Sequence, residues 1–205
     1  MSIERDEEIM NRPFHATKFR TEFVSAEIPK DRRIDELRFW CSEFHRFNLA
    51  PLHKYGACGN LSFRLTEGEI PFIVTASGTS FDGTIPGENF VAVQSCDLDK
   101  GVVYAGGAKR PSSESMFHFA IYDKRRDVNA VFHGHSPEIL SRAPGLNLVE
   151  TAREKPYGSV ELVQSILNVL NNQLFVVIKN HGFISLGGTM KEAGERALNI
   201  YKRSL

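Results

Sequence analysis

Four short apolar runs in close succession decide what kind of sheet this chain can build. Gly56-Ala57-Cys58-Gly59-Asn60-Leu61-Ser62-Phe63-Arg64 enters a strand between glycines. Pro71-Phe72-Ile73-Val74-Thr75 is a second strand, stopped by Ala76-Ser77-Gly78-Thr79-Ser80. Phe90-Val91-Ala92-Val93-Gln94-Ser95-Cys96 is a third, and Gly101-Val102-Val103-Tyr104 a fourth. Short strands joined by tight polar turns favour a mainly antiparallel or mixed sheet over repeated strand–helix–strand units.

Helices are expected around this sheet. From Asp31 to Asn48 the residues Ile34, Leu37, Trp40, Cys41, Phe44 and Phe47 recur at three- and four-residue steps, an amphipathic pattern whose aromatic stripe reads as core or subunit contact. A second helix should begin near Ser112-Ser113-Glu114, behind Pro111, and run to about Lys124. Ser136 is placed to cap a short helix ended by Pro144-Gly145, and Ser159 to Asn171 and Thr189 to Lys202 are helical by pattern. Further strands are read at 127–133, 174–178 and 183–185. The elements outline one α/β domain over residues 31–205, with helices packed over a central sheet. Residues 1–30, polar and interrupted by Pro13 and Pro29, are expected to be an N-terminal extension or arm ordered against a partner subunit.

At 205 residues there is room for one well-buried core. The 25 basic and 25 acidic residues cancel, which argues against nucleic acid or an anionic membrane as a partner while leaving room for a local anion pocket. Cys41, Cys58 and Cys96 are odd in number and widely spaced, so neither a disulfide framework nor a CxxC metal pair is expected. The acidic start Met1–Glu8 lacks the apolar stretch of a signal peptide, and no apolar run is long enough to span a bilayer. A cytoplasmic protein is the expectation.

Chemistry enters with Val131-Phe132-His133-Gly134-His135-Ser136-Pro137. On a strand, His133 and His135 point to one face, and Gly134 leaves the other face open to close approach. A lone His-x-His is at least as often a structural strand end as a ligand pair. His181 alters that balance, because it sits just past the 174–178 strand, also followed by a glycine. If the two strands are close, three imidazoles converge, and three neutral nitrogens with one open position describe a catalytic divalent site with zinc as default. Manganese or another divalent ion is the alternative.

Glu114, expected in the first turn of its helix and favoured there by the helix dipole, is the acid–base candidate beside such a cation. Asn60 after a glycine, Ser77-Gly78 in a tight turn, and Ser112-Ser113 at a helix start are places where backbone N–H groups and hydroxyls hold phosphate. Each is weak alone, but Ser112-Ser113 directly precedes Glu114. His118, one turn after Glu114, is read either as a partner behind the site or as packing.

Five pieces in this order, Gly59–Ser62, Thr75–Gly78, Ser112–Glu114, His133–His135 and Asn180–Gly182, resemble the class II aldolase/adducin-like family. The resemblance implies a single three-layer α/β/α domain with a central mixed, largely antiparallel sheet, and a homotetramer with active sites at subunit boundaries. It implies metal binding by His133, His135 and His181, acid–base work by Glu114, and a substrate phosphate held by Asn60, Ser77, Gly78, Ser112 and Ser113. The implied activity is metal-dependent aldol cleavage of a small ketose phosphate through an enediolate. A sugar-phosphate 4-epimerase, a dehydratase, or a non-catalytic adducin-like binding module are alternatives on the same scaffold. One departure stands out. Family aldolases supply a tyrosine from the region after the His-x-His, and Arg142–Lys155 contains none; Tyr157 is the nearest, in a turn that reads as structural.

Overall fold

The computed structural model describes residues 19–54 and 56–205. Within these residues ten strands form: β1 (Arg20–Ser25), β2 (Leu52–His53), β3 (Gly56–Ala57), β4 (Gly59–Arg64), β5 (Phe72–Thr75), β6 (Phe90–Asp97), β7 (Val102–Gly106), β8 (Ala130–Gly134), β9 (Phe175–Ile178) and β10 (Gly182–Gly187). Five α-helices join them: α1 (Ile34–Arg46), α2 (Ser115–Lys124), α3 (Pro137–Arg142), α4 (Val160–Leu170) and α5 (Met190–Ser204).

Eight strands make one sheet in the order β1-β7-β6-β5-β4-β8-β10-β9, and β2–β3 is a separate hairpin. Every pairing in the large sheet is antiparallel except β1 with β7. The expected mixed, largely antiparallel sheet is therefore present. Residues 20–25, inside the stretch expected to be an extension, form its edge strand. The same expectation for residues 1–18 lies outside the described residues.

Alternation along the strands sends side chains into two separate cores. Leu61, Phe63, Phe132 and Phe183 pack with α1, α3 and α5 on one face. Val74, Val91, Val131 and Ile184 pack with α2 and α4 on the other. Helix, sheet and helix make the three layers. The caps are local: Ser136 Oγ accepts from the Ile139 N–H, Ser159 Oγ from Leu162 and Thr189 Oγ1 from Glu192. Helix α5 meets α1 closely at Gly194, where a Cβ would lie 2.5 Å from Cδ2 of the Trp40 indole.

The interface of β4 with α2 carries polar side chains rather than apolar ones. Asn60, Ser62 and Arg64 occupy alternate positions of β4 and share a face, while Glu114, His118 and Tyr122 recur every four residues along α2 and its cap. The two rows interleave. The Ser62 hydroxyl lies 2.7 Å from His118 Nδ1 and 2.8 Å from the Tyr122 hydroxyl. The Arg64 guanidinium donates to the carbonyls of Tyr122 (2.5 Å) and Arg125 (2.7 Å) at the C-terminal end of α2, where the helix dipole favours a cation. His118 is wholly buried, its ring stacked near those of Phe72 and Phe117.

Two outcomes follow from this packing. Gly194→Ala would ordinarily gain helix propensity, but overlap with Trp40 reverses the sign, so urea denaturation should show a loss of about 1–3 kcal/mol. Burial, with the charge of His133 adding to it, pushes His118 down to about 3. An unfolded histidine protonates near 6.5, so the stability contributed by the neutral ring is complete above that pH and declines as pH falls toward about 3. With metal chelated, wild type should lose about 2 kcal/mol more than His118→Phe between pH 7 and pH 5, read by urea titration at both values.

Candidate metal centre

Three adjacent strands, β4, β8 and β10, bring the polar groups together. Register pairs Asn60 with His133 across β4–β8, and Ile184 with His133 across β8–β10. His133 therefore lies in the middle of the sheet, facing α2, and its ring meets Phe117 edge-on. His135 follows one residue past the end of β8, where its N–H donates to the Leu49 carbonyl. His181 closes the β9–β10 turn, in which Asn180 takes a left-handed conformation (φ 53°) that asparagine tolerates better than most residues.

Convergence depends on two glycines. A Cβ at Gly182 would sit 3.1 Å from His133 Cε1 and 3.2 Å from His135 Cδ2, and would overlap the Gly134 carbonyl. A Cβ at Gly134 would lie 2.7 Å from the Phe183 ring and overlap the Leu49 carbonyl. The three imidazole centroids consequently stand 4.9–5.1 Å apart. The sequence expectation that His133, His135 and His181 meet holds.

Glu114 completes the group. One ligand atom from each of Glu114, His133, His135 and His181 lies within 4.8 Å of all the others. Oε2 is 3.0 Å from His133 Nε2, and Oε1 is 3.2 Å from His181 Nε2. Glu114 stands one residue ahead of the expected position, at the N-cap of α2 rather than in its first turn, with φ −110° and ψ 9°. The Ser112 carbonyl already receives the Ser115 N–H and hydroxyl, which starts the helix later and frees the Glu114 side chain to turn inward.

The hydrogen positions argue for a cation. His133 Nδ1 lies 2.8 Å from the Phe183 carbonyl oxygen, which can only accept, so Nδ1 carries a hydrogen and, in the neutral ring, Nε2 presents a lone pair. That lone pair faces His135 Nε2 at 3.0 Å and the Glu114 carboxylate. Glu114 Oε1 is buried with no hydrogen bond among the described residues. Electron-rich atoms this close need something positive between them. A divalent ion bound at about 2.0–2.1 Å by imidazole nitrogens fits the donor set, and the carbonyl behind His133 is the usual support for such a ligand.

The site favours positive charge beside Glu114. Burial raises the Glu114 carboxyl, but the neighbouring His133 and His181 outweigh it and hold it well below the usual carboxylate range. Burial, helped by the charges of His133 and His181, pushes His135 well below the ordinary imidazole value, keeping its lone pair available. Cys58 is pushed up by burial and by the Glu114 charge, so its thiol stays protonated.

The phosphate candidates are distributed around this group. An antiparallel bridge between Ala76 and Pro111, together with a Ser77 N–H bond to the Arg110 carbonyl (3.0 Å), sets the Ser77–Gly78 turn beside Ser112-Ser113. Gly78 has φ 75° and is exposed, whereas Ser112 is buried and its hydroxyl accepts the Glu114 N–H at 3.3 Å. Gly158, in the Pro156–Ser159 turn, packs so tightly on Ser113 that a Cβ would lie 2.6 Å from its carbonyl oxygen. Asn60 is turned toward Glu114 and His118, donating from Nδ2 to Glu114 Oε2 at 3.0 Å with Oδ1 2.6 Å from His118 Nε2. Ser62 and Tyr122 were not singled out from sequence; their signal was the two-residue spacing from Asn60 and the eight-residue spacing from Glu114.

The chain is similar to known proteins in sequence and in fold. The chain is 29% identical to L-fuculose phosphate aldolase of Escherichia coli K12, over 75% of this chain and 72% of that one. It is 27% identical to a 5-methylthioribulose-1-phosphate/5-deoxyribulose-1-phosphate aldolase of Rhodospirillum rubrum, over 71% and 68%. Its fold is similar to a solved L-fuculose 1-phosphate aldolase, with TM-score 0.67, 21% identity and 86% of each chain covered. A sugar-phosphate aldolase from Thermotoga maritima superposes with TM-score 0.65 at 19% identity, covering 83% of this chain and 91% of that one. Residues 40–202, containing all five motifs and all four converging side chains, match the class II aldolase and adducin N-terminal domain, and the chain belongs to that family.

Proposed function

We propose that this protein is a metal-dependent aldolase that cleaves a small ketose phosphate, with His133, His135 and His181 as metal ligands and Glu114 as the proton carrier. The observation that carries the reading is the meeting of four buried or half-buried donors within 4.8 Å, one of them a carboxylate. A non-catalytic module would have no need to bury a carboxylate among three imidazoles, at a cost of several kcal/mol where the charge is uncompensated. Zinc is the proposed ion because three neutral nitrogens and an open position suit it.

When bound, the divalent ion supplies Lewis-acid stabilisation of the negative charge that develops on the substrate carbonyl oxygen as the carbon–carbon bond breaks. The three histidines orient that ion, His133 being fixed through its bond to Phe183. Glu114 moves a proton to or from the donor carbon, since the histidines have their lone pairs committed. Ser77, Gly78, Ser112 and Ser113 hold the phosphate through backbone N–H groups and hydroxyls, with Asn60 at its inner edge, and so keep the fragment in register. Both curated relatives named above are, by name, aldolases of phosphorylated sugars, which supports this substrate class.

We place the protein in the cytoplasm, a reading supported by free thiols at Cys41, Cys58 and Cys96. No helix among the described residues is long and apolar enough to cross a membrane. The homotetramer is also part of this proposal. Exposed Phe23 and Val24 on β1 and exposed Phe39 on α1 support subunit contact, and sedimentation velocity tests it.

Purified protein should carry about one divalent ion per chain by elemental analysis. In a screen of ketose 1- and 5-phosphates, one compound should release aldehyde; chelation should abolish the release, and added zinc or manganese should restore it. His135→Ala should lose both ion and activity. Glu114→Gln should remain folded while kcat falls at least about a hundredfold. An isomeric product without cleavage would replace the lyase with an epimerase.

A further inference from the structure

Ser62, His118 and Tyr122, the part of the polar ladder that lies behind Asn60, have no part in holding cation or phosphate, yet they are buried between β4 and α2. Its hydrogens follow from its two ends. Ionised Glu114 only accepts, so Asn60 must present an N–H to Oε2, at 3.0 Å. That orientation leaves the amide oxygen 2.6 Å from His118 Nε2, which must therefore be the donor. The buried ring is neutral, so Nδ1 is bare and receives the single hydrogen of the Ser62 hydroxyl across 2.7 Å. Ser62 has nothing left to give to Tyr122 at 2.8 Å or to the Val131 carbonyl at 3.3 Å, so the Tyr122 phenol donates to it. All four bonds run one way, from Tyr122 to Glu114.

We propose that this one-way chain orients the Glu114 carboxylate, with His118 and Ser62 as positioning residues that act through Asn60. Reversal would turn the amide carbonyl onto the carboxylate, oxygen against oxygen in a buried site, where an unpaired charge is most costly. His118 prevents that flip, because its Nε2–H binds only the oxygen end of the amide. Oε2 is thereby fixed between Asn60 and His133, and Oε1 is the oxygen that faces His181. The inference rests on Glu114 acting at the metal centre. It adds that two side chains without contact to substrate or ion set how well Glu114 does so.

Three measurements test it. In wild-type, zinc-loaded protein, long-range nitrogen–proton NMR should find His118 as the Nε2–H tautomer; the Nδ1–H tautomer would overturn the proposal. His118→Phe keeps the stacking on Phe72 and Phe117 but deletes both hydrogen bonds. It should lower zinc affinity about 10- to 100-fold in competition with a chromogenic chelator, under conditions where circular dichroism shows it folded. His118→Gln, with one N–H and one carbonyl, should recover most of the loss, and Ser62→Ala, a smaller change, should show part of it. In aldehyde release the His118→Phe defect should fall on kcat rather than KM. Wild-type affinity in both His118→Phe and Ser62→Ala, or a loss that His118→Gln does not recover, would overturn it. Zinc affinity and tautomer need no substrate, so they remain decisive even if no ketose phosphate is cleaved and the lyase reading fails.

Discussion

Three imidazoles share one point only because β8 and β10 touch backbone to backbone where a side chain would normally stand. Gly182 lies against the Gly134 carbonyl and between the rings of His133 and His135, and Gly134 lies against Leu49 and the Phe183 ring. Any Cβ at either position pushes the strands or the rings apart. Interiors are close-packed, so such a displacement is not absorbed locally but passed to the neighbouring ligands. The His-Gly-His and Asn-His-Gly stretches are in this sense one structural unit, assembled from two strands hydrogen-bonded in fixed register.

The same centre manages a second constraint, the burial of a carboxylate. Glu114 is almost wholly buried and stays ionised because His133, His181 and Asn60 surround it. The helix that carries it is itself held at the far end by Arg64, whose guanidinium takes the C-terminal carbonyls of α2. A period of two on β4 and of four on α2 place one polar row against the other, so the charged ends and the neutral middle of the ladder are satisfied together. A half-satisfied network in this position would be worse than an apolar one. The polar side chains here serve to specify geometry, while the apolar residues of the two cores drive folding.

Much of this was legible in the chain. Strand and helix positions followed from period and punctuation, because the same apolar spacing that marks an element also buries it. The converging histidines were readable since each pairs with a glycine at a strand end. Glu114 was found but misplaced by one residue: turn hydrogen bonds from the Ser112 carbonyl start the helix at Ser115, and such competition is not visible in residue order. Residues 20–25 lacked a strand signal strong enough to separate them from the polar stretch before them. Their pairing with β7 is a contact across some eighty residues of chain.

Residue order by itself determined the helices and the inner strands of the large sheet, the donor types available for a cation, and the family to which the chain belongs. Tertiary structure alone decided that Asn60 faces Glu114, that Ser62 and Tyr122 stand behind His118, and that the Ser77–Gly78 turn lies beside Ser112. The physical reason is the range of the forces involved. Periodicity and capping act over one or two turns of chain, whereas strand register and the direction of a buried hydrogen bond are set by partners fifty or more residues away.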